Sequence, residues 1–261
     1  MASQDATVPY LLRLGDSALI LGQRVSEWCG HGPMLEEDIA MANIGLDLIG
    51  HARLLLTLAG SRMDPPQSED QLAYWRNEPQ FHNWTLCELP NSGLAKGQQT
   101  RDYAVTITRN LLYSGAMLLL WEALQCSTDA DLAAIASKAV KESRYHFRHA
   151  RDWIVRFGDG TAESRQRAQN ALDHLMPYAA ELFEDDTLQR SLHAQGLAPL
   201  HASLLPHWDA LIDAALTEAT LTRPAPVAFR STGAQGRHSE HFGFLLAEMQ
   251  SLARAHPGVT W

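Results

Sequence analysis

Leu11, Leu14, Ala18, Leu21 and Val25 recur at three- and four-residue intervals, the spacing of one helical face. That stripe predicts a first helix from about Val8 to Cys29, stopped by Gly30-His31-Gly32-Pro33. A second helix is predicted from about Met34 to Ala59, ending near Gly60 with Pro65-Pro66 beyond. The same period returns from about Gln98 to Gln125 and from Asp129 to Phe157, with Ser127-Thr128-Asp129 supplying an N-cap between them. Further helices are predicted near Ala162 to Phe183, Pro206 to Leu221 and Ser239 to Ala255. Alternating strand patterns are scarce.

The stretch from Asp64 to Gly97 breaks this rhythm. Pro65, Pro66, Pro79 and Pro90 punctuate it, and Tyr74, Trp75, Phe81 and Trp84 lie between them. Short helices in a long packed connection fit this pattern, with the aromatic rings pinning it to the helices. Two helices with a tight turn, a long connection and two more with a tight turn give an all-α, ferritin-like four-helix bundle with one long crossover and additional C-terminal helices. No Pro/Gly-rich linker separates independent cores, so residues 1–261 are expected to form a single domain.

Helix three is unusual. Leu111, Leu112, Met117, Leu118, Leu119, Leu120 and Trp121 make it apolar nearly all round, so it must be covered on every side. A bundle needs one apolar stripe per helix, so burial against another chain is the preferred reading.

Two predicted helices share a short pattern: an acid, a histidine four residues on and an arginine six on. They are Asp47/His51/Arg53 and Glu142/His146/Arg148. Di-iron bundles repeat an acid-plus-histidine helix twice, but with the histidine three residues after the acid. Here those positions hold Gly50 and Tyr145. Reflecting Asp47 and Glu142 through the predicted turns projects Asp16 and Ser114 as their facing positions. No Asp or Glu occurs between Tyr103 and Trp121, so the third helix offers no mid-helix carboxylate. The projected set is Asp16, Asp47, Gly50, Ser114, Glu142 and Tyr145, too poor in donors for two irons.

Residues four apart still share a helix face, so Asp47/His51 and Glu142/His146 could hold a metal by an unusual geometry. The simpler assignment for each is a buried acid–imidazole hydrogen bond, with Lys138 also placed to neutralise Glu142. His238-Ser239-Glu240-His241 follows a flexible stretch; Ser239 is expected to cap the last helix, since no second cluster completes a metal site.

Composition narrows the function classes. The net charge is −9, which disfavours duplex binding, although Arg144, Arg148, Arg151 and Arg156 crowd one stretch. Cys29, Cys87 and Cys126 lack CxxC spacing, so neither a disulfide framework nor a zinc cluster is indicated. Residues Met1 to Tyr10 have no basic segment before an apolar run, and Leu111–Trp121 is too short to span a bilayer. A cytoplasmic protein is expected. P-loop and GxSxG motifs are absent.

Several segments carry a family likeness nearly end to end. They are Leu12-Arg13-Leu14-Gly15-Asp16, Glu27-Trp28-Cys29-Gly30-His31, Asn43-Ile44-Gly45-Leu46-Asp47-Leu48, Lys141-Glu142-Ser143-Arg144-Tyr145-His146, His238-Ser239-Glu240-His241-Phe242-Gly243 and Leu246-Ala247-Glu248-Met249-Gln250. Together they resemble the C subunit of the bacterial ring-1,2-phenylacetyl-CoA epoxidase. The resemblance implies a monooxygenase of aerobic phenylacetate breakdown, in which a related A subunit carries the di-iron centre and binds phenylacetyl-CoA. It implies a small B subunit and a flavin/iron–sulfur reductase fed by NADPH. It assigns this chain a structural role with no catalytic, cofactor-binding or metal residues, and it does not require a histidine at His51. The rival classes are a self-sufficient metal oxidoreductase using Asp16, Asp47, His51, Glu142 and His146, and a helical carrier of a CoA ester.

Overall fold

A computed structural model describes residues 5–92 and 100–259. Among them are ten α-helices joined by turns, and no strand beyond isolated bridges. The fold is all-α, with the ferritin-like helix order of two long helices, a long connection and two more long helices. The chain forms two compact units. The first comprises the residues up to Pro90 together with those from Thr232 onward; the second runs from Asn91 to Ser231.

In the first unit, α1 (Val8–Ser26) and α2 (Leu35–Ser61) form a tight hairpin. Asp5 accepts from the Thr7 backbone N–H at 2.8 Å, and Pro9 stands in the first turn, where its missing N–H costs nothing. Gly30 adopts a φ of +76° in the turn between them. Asp38 reaches back to accept the Gly30 N–H at 2.8 Å. It shares the first turn of α2 with Glu36 and Glu37, where negative charge favours the helix dipole. Gly22 and Gly45 meet across the pair, so the backbones approach closely.

The connection carries α3 (Glu69–Tyr74) and α4 (Thr85–Glu88). Ser68 and Gln71 close a capping box at the start of α3. Phe81 and Trp84 are buried and pin the connection as expected, Tyr74 is half-buried, and Trp75 is exposed. The last helix, α10 (Phe242–Ala255), returns to this unit.

The second unit is built on the pair α5 (Tyr103–Leu124) and α6 (Ala130–Asp159). Asp102 and Asp129 are the N-caps, accepting from Ala104 and Leu132. Helices α7 (Ala162–Ala179) and α9 (Leu205–Glu218) pack on α5, with Trp208 donating to the Leu112 carbonyl at 3.0 Å. Helix α8 (Thr187–Ala194) was not anticipated; only eight residues long, it shows little periodicity in sequence.

Three expectations need correction, and a fourth falls where nothing is described. The all-apolar third helix, α5, is not left open for another chain: Leu111, Leu112, Leu118, Leu120 and Trp121 are all buried, and only Leu119 is half-exposed. Its extra apolar faces are used by α7 and α9, the additional helices that a minimal four-helix bundle lacks. Ser239 does not cap α10, which starts three residues later without a side-chain cap; its hydroxyl accepts only from the His241 N–H, at 3.4 Å. The Ala162–Phe183 helix changes to a 3₁₀ turn at Ala180. The expected start of the third helix near Gln98 lies outside the described residues.

Candidate functional site

Polar groups inside a helix hairpin must find partners, and α1 buries four: Arg13, Asp16, Ser17 and Arg24. Asp16 is fully buried. Both of its oxygens are taken by the Arg76 guanidinium in a fork, with Nη1 at 3.0 Å from Oδ2 and Nη2 on Oδ1. The His82 backbone N–H donates to Oδ2 at 2.9 Å. Next door, Ser17 Oγ accepts from the Trp84 N–H at 3.2 Å. Two consecutive polar residues of α1 thus capture alternate backbone N–H groups of the connection.

Arg76 is itself held on all sides. Its Nε donates to the Leu72 carbonyl at 2.5 Å, and Nη1 also reaches the Gln80 carbonyl at 2.8 Å. The guanidinium lies 4.2 Å from the centre of the Phe81 ring. From α10, Gln250 and Arg254 donate to the Arg76 carbonyl at 3.0 and 2.9 Å. Burial pushes the pKa of neighbouring His82 below its ordinary range, outweighing the opposite pull of Asp16.

A second buried ion pair stands at Glu88. His238 Nδ1 lies 2.7 Å from Glu88 Oε2, and His238 Nε2 lies 3.1 Å from the Phe81 carbonyl. Each ring nitrogen therefore has an oxygen partner, an arrangement that favours the doubly protonated ring. Burial works against that charge, but the hydrogen bond and the charge of Glu88 outweigh it and raise the His238 pKa. Asn83 donates to the same carboxylate at 2.8 Å, the Ser239 N–H caps its other oxygen, and Arg24 takes the Glu88 carbonyl at 2.8 Å. The His238 ring stacks on Phe242 with centroids 4.0 Å apart. The His238–His241 cluster is thus a clamp that fastens the returning C-terminal segment to α4.

On α2, His51 is buried while Asp47 is half-exposed; Gly50 has no side chain within 4 Å of its open Cβ position. On α6, His146 is buried, Glu142 half-exposed, Tyr145 exposed and Lys138 exposed. The positions three residues after each acid therefore lie toward the surface, and the imidazoles one step further on point inward. Ser114 is buried and turns its hydroxyl back to the Asn110 carbonyl. Among the described residues, no three His, Cys, Asp or Glu side chains group as a metal site requires. The donor set does not fit iron: its most buried carboxylate is already neutralised by a fixed guanidinium, and the third long helix offers a hydroxyl.

The family pattern described as "phenylacetic acid catabolic protein" matches residues 1–261. The chain belongs to this family. It is also 44% identical over 252 residues, 97% of its own length and 98% of the relative's, to the C subunit of 1,2-phenylacetyl-CoA epoxidase from Escherichia coli (strain K12).

Family membership fits the resemblance drawn from the sequence segments, and the geometry adds what those segments hid. Asp16 was legible as an inward position; its partner Arg76 was not, because one arginine among the prolines and aromatics of a connection carries no periodic signal. The Glu88–His238 pair spans 150 residues of sequence and had no local trace beyond the His238–His241 cluster itself.

Proposed function

We propose that this chain is the structural, non-catalytic subunit of a multicomponent phenylacetyl-CoA 1,2-epoxidase in aerobic phenylacetate catabolism, pairing with the chain that carries the di-iron centre. The observation that carries this reading is the Arg76–Asp16 fork. In a di-iron bundle, metal charge balances inward carboxylates; here an arginine does so, and both carboxylate oxygens are engaged by hydrogen bonds. The 44% identity to a relative named as the C subunit of such an epoxidase supports the same reading.

A metal-free paralogue serves the complex by packing, offering a rigid helical face to the catalytic chain. The small B subunit and the flavin/iron–sulfur reductase fed by NADPH would complete the assembly, in the cytoplasm. We treat residues 1–261 as one domain, because the first unit closes only when the C-terminal segment returns to it.

Substrate-dependent oxygen consumption tests the reading. With phenylacetyl-CoA, NADPH and reductase, the lone chain is expected to show none, and addition of the catalytic subunit to restore it. Turnover by the lone chain would refute the assignment.

A further inference from the structure

Resting on the reading just given, the geometry of α2 assigns the face that meets the catalytic chain. We propose that the outward stripe Leu35, Ile39, Ala42, Leu46 and Gly50 of α2 is the docking surface for an amphipathic helix of the catalytic subunit.

The stripe is a continuous one. Its members recur at four-, three-, four- and four-residue intervals, so they fall on one side of the helix, opposite the Ile44, Leu48 and Leu55 positions that face inward. Leu35 is 71% exposed, Leu46 66% and Ile39 54%, whereas the apolar residues of α5 are covered within the chain. Large aliphatic side chains left in water at regular spacing along the first half of a helix are costly unless something covers them. With Met34 and Leu54 at its ends the patch exposes on the order of 500 Å² of apolar surface, a large part of the roughly 800 Å² per partner that a standard interface buries.

Its shape and charge select the partner. From Leu35 to Gly50 the stripe is about 22 Å long, the length of roughly four helical turns. Gly50 lies in it with nothing near its open Cβ position, so a second backbone can approach there. Between Leu35 and Gly50 the stripe itself carries no charge, and its far end is closed by Arg53, already bound to Glu69 at 3.0 and 2.8 Å. An amphipathic helix whose contacting face is uncharged and carries aliphatic residues at the same spacing matches this surface. A lipid surface does not: Glu36 stands exposed in the first turn of α2, where anionic headgroups repel it. A second copy would bring the two Glu36 side chains close in a parallel pairing, while the relative's designation as a subunit supplies a different chain.

The test is binding of full-length variants to the catalytic subunit. Leu46→Glu and Ile39→Glu should keep wild-type helicity and melting behaviour, because both side chains already meet solvent, yet weaken binding at least about tenfold. Gly50→Leu should fold and also weaken binding, by blocking close approach. Leu252→Glu, an equally exposed leucine on α10, should bind as wild type does. Undiminished affinity in folded Leu46→Glu and Gly50→Leu would overturn the α2 assignment and leave the proposed pairing intact. If wild type itself fails to bind the catalytic chain, the functional reading fails and this inference with it. A wild-type homodimer dispersed by Leu46→Glu would assign the face to a second copy. Sedimentation of the lone chain with phosphatidylcholine/phosphatidylglycerol vesicles, lost in Leu46→Glu, would assign it to lipid. Either result overturns the proposal.

Discussion

Asp16 shows how a single buried carboxylate redirects a scaffold. Its two oxygens accept from Arg76 and from the His82 backbone, so the charge is matched without an ion. Removing the cation strands that charge in a dry hairpin. Arg76→Ala should therefore cost about 3–5 kcal/mol in urea unfolding. The double variant with Asp16→Ala should be less than additive, because the pair forms one unit. His238 gives the pH dependence. Its folded pKa is raised, so the clamp on Glu88 contributes its full stability below the ordinary histidine value of about 6.5. That contribution is lost as pH rises through the higher folded value. Urea midpoints measured from about pH 6 to pH 9 should fall for wild type, and the fall should be shallower in His238→Gln. At this scale the sequence marked Asp16 as an inward position; it could not tell which residue partnered it or that Glu88 meets His238, because partners 60 and 150 residues apart leave no local pattern.

At the scale of elements, periodicity located the long helices to within a few residues, since their apolar faces and caps are local properties. It misread the role of α5. An apolar circumference says that a helix is surrounded, and only tertiary structure says by what; here α7 and α9 provide the cover that was assigned to another chain. Conversely, periodicity gave α2 only its bounds, and its open stripe emerged only with the fold. Close approaches at helix ends were equally invisible. Gly158, near the end of α6, sits where a Cβ would come within 1.7 Å of the Ala219 carbonyl oxygen that follows α9. Differential scanning calorimetry should show Gly158→Ala destabilised by about 1–3 kcal/mol despite the better helix propensity of alanine, because backbone rather than a yielding side chain blocks the methyl group. A stabilised variant would show that the contact relaxes freely.

For the whole molecule, a repeated acid–histidine pattern at the wrong interval for a di-iron helix and a carboxylate-free third helix support the proposed reading of a bundle that keeps its helix order without a metal. The structure adds a guanidinium fork on one buried acid, Asp16, and a histidine clamp on another, Glu88. Family membership supplies the setting in phenylacetate catabolism. The most direct measurement is the iron content of the lone full-length chain, purified from iron-supplemented cells and analysed by inductively coupled plasma mass spectrometry with Mössbauer spectroscopy. Iron well below one atom per chain, with no coupled di-iron signal, is the predicted result; two bridged irons per chain would contradict the account.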